Sequence, residues 1–253
     1  MLSLEYIPKD KENDMTILQD WLKHLKVDFL IVPDSPKLKP TPEACLISTI
    51  WGDRLGVDVI ASIAGSGRRE ERIESLLLGL RYAGIHKVAV VGGDKRQNGE
   101  LGGWQLAKKA KEILGEKSFI ICGSGLNLDK ENKKSLENKI ANGAKMIISQ
   151  PAFDPKSAQK FLKSFEEVAK GSGVKVAMGF FPIYESSLCQ KILTDNLGFD
   201  IPDSYRQNLC KDPFGTNLKL YGDLESMGCN IHLCGAKNAF IGDFIASMSG
   251  REI

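Results

Sequence analysis

Long hydrophobic runs are missing from this chain: no stretch approaches the roughly 20 apolar residues that cross a bilayer. The opening MLSLEYIPKDKEND has no basic start followed by an apolar run, so no secretion leader is expected. An excess of one charge is missing too. Lys and Arg total 34 against 32 Asp and Glu, a formal net charge of +2, which gives no reason to expect a nucleic-acid or membrane partner. Cysteine is sparse and unpatterned. Cys229 and Cys234, the nearest of the six, have no matching pair elsewhere, so neither a disulfide framework nor a metal site is expected. Free thiols in a cytoplasmic protein are the expectation. No Pro/Ser-rich linker or low-complexity segment interrupts residues 1–253, and one domain is the economical reading.

What is present is alternation. Short β-branched or apolar runs at 3–7, 28–33, 58–64, 87–92, 118–123, 145–150, 174–179 and 230–234 predict eight strands. Between them, helical spacing covers 15–25, 69–83, 104–114, 130–142 and 157–170. The seventh connection, 184–228, is the longest: a helix over 185–197, a polar turn containing Pro202 and Pro213, and a helix over 215–227. Gly56, Gly84, Gly143, Gly173 and Gly228 fall where helices should close before the next strand. Continuous apolar strands such as VAVVGG and MIIS fit a parallel sheet buried on both faces. Eight βα units in 253 residues match the roughly 250 of a closed (β/α)8 barrel. No GxGxxG turn comes after the first strand, which counts against an open dinucleotide-binding sheet.

Barrel chemistry sits at the carboxyl ends of the strands. Glu5 is a carboxylate within a short strand, pointing into the lumen either as a general acid or as an ion-paired layer residue. Asp94 comes after two glycines, and is either a ligand contact or a turn aspartate. Gln150 ends an apolar strand and can present both donor and acceptor to a ring, or serve as a structural amide. His232, inside a strand, reads as a packed or hydrogen-bonded histidine. Gly65, Ser66, Gly67 and Arg68 form a loop able to cradle a phosphate through backbone N–H groups and a guanidinium. Spacing alone reaches a barrel enzyme with a carboxylate acid.

These residues resemble the methylenetetrahydrofolate reductase family. Ser3-Leu4-Glu5-Tyr6-Ile7-Pro8 is similar to its opening strand, and Asp34-Ser35-Pro36 to the end of its second. SLLLGLRYAGI with the adjoining VAVVGGD, NGAKMIISQPAFD, and the Gly-Phe-Phe-Pro-Ile turn resemble later segments, in order, over nearly the whole chain. The resemblance implies an oxidoreductase of one-carbon metabolism and methionine biosynthesis, a TIM barrel reducing 5,10-methylenetetrahydrofolate to the 5-methyl form. It implies Glu5 as the acid that protonates N10 and Asp94 as the residue that stabilises cationic charge. Gln150, Asp94 and Phe181 would bind the substrate. FAD would be the cofactor and NAD(P)H the electron donor, with Ser62, Arg68, Gly93, Gly123, Lys139 and Ala144 as cofactor-binding positions.

The departures gather on the flavin side. Ser62 stands where the family has a histidine, Gly92 where it has an arginine, Gly123 near its tyrosine and Asn132 near its aspartate. Three readings are open. One is an FAD-dependent reductase with the flavin held by contacts such as Arg68 and the 123–125 loop. Another is a flavin-independent reductase using a nicotinamide or deazaflavin donor. The last is a non-catalytic folate-binding subunit serving a methyltransferase. An exposed apolar helix face would support a homo-oligomer.

Overall fold

A computed structural model describes residues 1–93, 99–194, 199–235, 242–244 and 247–248, apart from the Lys37 side chain. Eight strands appear where apolar runs predicted them: β1 (Leu2–Glu5), β2 (Phe29–Val32), β3 (Asp58–Ala64), β4 (Lys87–Val91), β5 (Phe119–Ser124), β6 (Ala144–Pro151), β7 (Lys175–Phe180) and β8 (Asn230–Leu233). Every neighbouring pair is parallel, and β8 returns to β1 in the register Ser3 to His232, closing the barrel. The chain is a single-domain (β/α)8 TIM barrel.

Helices wrap the outside: α1 (Lys11–His24), α2 (Ala44–Leu55), α3 (Glu70–Tyr82), α4 (Gly103–Leu114), α5 (Lys130–Ala141), α6 (Pro155–Ala169), α7 (Ser186–Thr194), α8 (Asp203–Lys211) and α9 (Pro213–Ser226). The five expected terminal glycines all have positive φ, between 66° and 104°, so each takes the left-handed position that a Cβ disfavours. The helix expected to close at Gly56 is α2, capped by the Glu43 carboxylate on the Cys45 and Leu46 N–H groups. One expectation changes. The polar turn expected between Pro202 and Pro213 is α8. Its Tyr205 and Leu209 are buried, and two apolar residues a turn apart in a polar stretch were too few to read as a helical face. No helix among the described residues is long and apolar enough to cross a membrane.

Side chains alternate between two cores. Leu2, Leu4, Leu30, Val32 and their counterparts face the helices, whereas Phe29, Ile31, Ile60, Ala89, Ile121 and Met146 fill the lumen. By the period of two, Ser3 and Glu5 point inward. The apolar plug occupies the lower lumen, so polar groups collect toward the carboxyl ends.

Candidate active site at the carboxyl ends of the strands

Glu5, the last residue of β1, is held in place through its neighbour Tyr6. The buried Tyr6 turns outward, donates its hydroxyl to Asp14 Oδ1 at 2.8 Å and packs edge-on against Trp21 and Trp51, both at 5.7 Å between ring centroids. The other Asp14 oxygen accepts the N–H groups of Lys9 at 2.6 Å and Asp10 at 3.0 Å. A single buried carboxylate thus pins the chain as it leaves β1. Burial, and next the hydrogen bond to Asp14, raise the Tyr6 phenol well above its ordinary range.

Beneath Glu5 the fully buried Ser3 Oγ lies 2.9 Å from Nδ1 of His232. Burial pulls the imidazole down to about 4, so His232 is neutral at pH 7. The next inward residue on the β8 side is Cys234, whose thiol is held well above its usual range by burial and then by the Glu5 carboxylate. The expectation that His232 is a hydrogen-bonded strand residue agrees with this arrangement.

The β6 and β7 side supplies two further groups. The β6–β7 register shifts between Ile148 and Pro151, and a bulge of this kind re-aims a side chain. A Cβ on Gly125 would sit 3.5 Å from Gln150 Oε1, which places the half-buried amide at the end of β5. Among the described residues, that amide has no hydrogen-bond partner. The bulge presses β6 onto β7 so closely that a Cβ on Gly179 would stand 2.5 Å from the Ser149 carbonyl oxygen. Phe181 lies just past β7, with its ring against Gly235 and 6.5 Å from that of Phe199.

The turn carrying Phe181 is fixed by Asn217, a residue that the sequence did not single out. Fully buried on α9, Asn217 accepts the Ile183 N–H at 3.1 Å and the Tyr205 hydroxyl at 2.8 Å. Its amide nitrogen donates to the carbonyls of Ile183 at 2.8 Å and Pro213 at 2.7 Å. An asparagine inside a helical stretch carries no local sign of such a task.

The β3 and β4 side is different. Each N–H of the expected phosphate cradle is already engaged: Gly65 with the Val91 carbonyl at 3.0 Å, Ser66 with that of Gly92 at 3.1 Å, and Gly67 with Glu100 Oε1 at 2.7 Å. Arg68 forms a two-pronged ion pair with Asp34, one prong being Nη2 to Oδ1 at 2.6 Å. Asp34 also accepts the Ala64 N–H at 2.9 Å. A Cβ on Gly65 would collide with the carbonyl oxygen of Leu101. This loop is sewn shut by partners 26 to 34 residues away in sequence.

The remaining expected positions scatter. Ser62 is buried on β3 and, by alternation, faces the lumen. Lys139 reaches from α5 to donate to the Gly123 carbonyl at 2.8 Å, its Cε 3.1 Å from where a Gly103 Cβ would be; burial lowers its pKa. Gly93 lies against Ser66, where it leaves no room for a side chain. Ala144 opens β6 and is buried in the helix-facing core, at the amino end of the strand and away from the carboxyl-end mouth. Asp94 lies outside the described residues.

FAD is the cofactor that the resemblance implies. Its diphosphate calls for convergent N–H donors and an available guanidinium, yet the 65–68 loop spends both internally. The residues present do not fit FAD held by that loop.

The fold and mouth define a TIM barrel with a lumen carboxylate, an open amide and an aromatic ring at its carboxyl end. No protein-family model and no curated protein sequence matches the chain. Among solved structures, it is similar to an uncharacterized protein from Clostridium thermocellum that binds two copies of 5-methyl-5,6,7,8-tetrahydrofolic acid. The TM-score is 0.75 at 14% identity, covering 100% of this chain and 96% of that one. At that identity the likeness establishes the fold.

Proposed function

We propose that this barrel binds a reduced folate, or a related C1-carrying pterin, across its carboxyl-end mouth and reduces the methylene form to the methyl form. The carrying observation is that Glu5 and Gln150 both stand at the carboxyl ends of their strands, β1 and β6. The likeness to a protein that binds 5-methyltetrahydrofolate supports the choice of ligand class.

In this reading Glu5, protonated, gives its proton to N10 of the methylene compound. The bond from the bridging carbon to N10 breaks, leaving an N5 iminium. Hydride from a nicotinamide-type donor adds to that carbon and yields the 5-methyl product; the donor leaves oxidised by two electrons. Glu5 ends as the carboxylate and regains a proton from solvent. The step requires Glu5 in its acid form. Gln150 offers its carbonyl and its NH2 to the pterin edge, while Phe181 supplies an apolar face. Asp94 would balance cationic charge on the ring.

A second reading is favoured by the engaged 65–68 loop: a folate-binding subunit without its own electron donor, handing methyl-folate to a methyltransferase. One experiment separates them. Anaerobic NAD(P)H oxidation with 5,10-methylenetetrahydrofolate is monitored for the wild type and Glu5→Gln, beside calorimetric binding of 5-methyltetrahydrofolate. The reductase reading expects turnover to fall by at least about 100-fold in the variant with affinity little changed. Equal turnover in the two proteins removes Glu5 from the chemistry. Tight folate binding without turnover by the wild type, with or without added FAD, selects the carrier.

A further inference from the structure

The 65–68 loop has the composition of an anion cradle and the hydrogen bonding of a filled one. We propose that Glu100 and Asp34 are specificity determinants that occupy this cradle with their own carboxylates, so that the protein rejects phosphate and diphosphate groups at the end of β3. Three observations converge. Glu100 Oε1 accepts the Gly67 N–H at 2.7 Å, the position from which a phosphate oxygen would accept. Asp34, 4% exposed at its side chain, takes both prongs of the Arg68 guanidinium, the bidentate mode that would otherwise suit a phosphate. The Gly65 and Ser66 N–H groups are tied to β4 and its exit, and Leu101 closes the space above Gly65. A carboxylate and a phosphate compete for the same donors with charge of the same sign, so the resident anion excludes the incoming one both sterically and electrostatically.

The consequence for the ligand is specific. A donor using this site must place any diphosphate away from β3. The inference leans on the proposed folate chemistry only for the identity of the lumen ligand.

The test uses inorganic pyrophosphate and the full chain, with no folate present. Ligand-induced stabilisation depends on the ratio of free ligand to Kd, so thermal unfolding at increasing pyrophosphate reads occupancy. Wild type is expected to show no saturable rise in Tm. Glu100→Ala, which frees the Gly67 N–H at an exposed position, is expected to gain a saturable rise corresponding to at least about tenfold tighter binding. Glu100→Ala combined with Asp34→Asn should gain more, by releasing Arg68; if the double variant does not fold, the single variant decides. A saturable rise in wild type, FAD retained through its purification, or no gain in Glu100→Ala overturns the proposal. Failure here leaves the folate reading standing, since that reading is decided by 5-methyltetrahydrofolate binding to the wild type.

Discussion

Around one arc of the mouth, β6 through β8 and on to β1, the side chains at and just past the strand ends differ in kind: the Gln150 amide, the Phe181 ring and the Glu5 carboxylate. Around the other arc, β2 through β4, polar groups of comparable strength are matched to one another: Asp34 with Arg68, Glu100 with Gly67, Ser66 with Gly92. On the second arc these groups are spent on one another, whereas on the first the Gln150 amide has no hydrogen-bond partner among the described residues. Polar residues at a strand end therefore say little about binding until their intramolecular partners are known.

The two arcs are expected to fail in different ways. The largest effect is expected at Glu5, where Glu5→Gln lowers turnover by at least about 100-fold while urea unfolding stays close to wild type; a comparable loss of stability would make Glu5 structural. Arg68→Ala should do the reverse, leaving the Asp34 carboxylate buried and unpaired at a cost of about 3–5 kcal/mol in urea unfolding. A loss well under that range would mean that water reaches Asp34 and that the closed arc is open.

A pH titration of stability probes the floor between them. His232 is held at about 4 against an ordinary 6.5. Between those values the unfolded chain binds a proton that the folded one refuses. Its contribution is thus fully present above about pH 6.5 and declines as pH falls toward 4, by roughly 3 to 4 kcal/mol at 1.4 per pH unit. His232→Gln should flatten that slope, and an unchanged slope would place the titration elsewhere. Asn217→Ala should cost about 2–3 kcal/mol through the unpaired Ile183 and Pro213 groups, and it should weaken folate binding because the Phe181 turn loosens; intact affinity would separate that turn from the site. The smallest effect is expected at the exposed Lys87–Asp58 pair, where Lys87→Ala should shift stability by under about 0.5 kcal/mol.

The sequence carried the barrel well because its signals are local. Apolar runs marked all eight strands, and Gly56, Gly84, Gly143, Gly173 and Gly228 marked helix ends through a backbone angle that each residue settles for itself. The helix α8 escaped because its buried face amounts to Tyr205 and Leu209 in a polar stretch. The site divides along the same line. Glu5 could be assigned to the lumen by counting along one strand. The state of the 65–68 loop could not be read, because Asp34 and Glu100 lie 34 and 33 residues from their partners, and nothing in the GSGR composition tells an open cradle from a filled one. Asn217 was hidden for the same reason, its key partner Ile183 being 34 residues distant.

The pressed seam at Gly179 bears on how a barrel of this kind can diversify. Gly52 and Gly79 have open space around them and can accept a methyl group without disturbing a neighbour. At Gly179, any side chain must push β6 away from β7, and so shift Gln150 and Phe181 together. Ligand preference in descendants of this chain would therefore change by exchanging residues at positions 150 and 181 on an unaltered frame, since the spacing between their strands is not open to gradual adjustment.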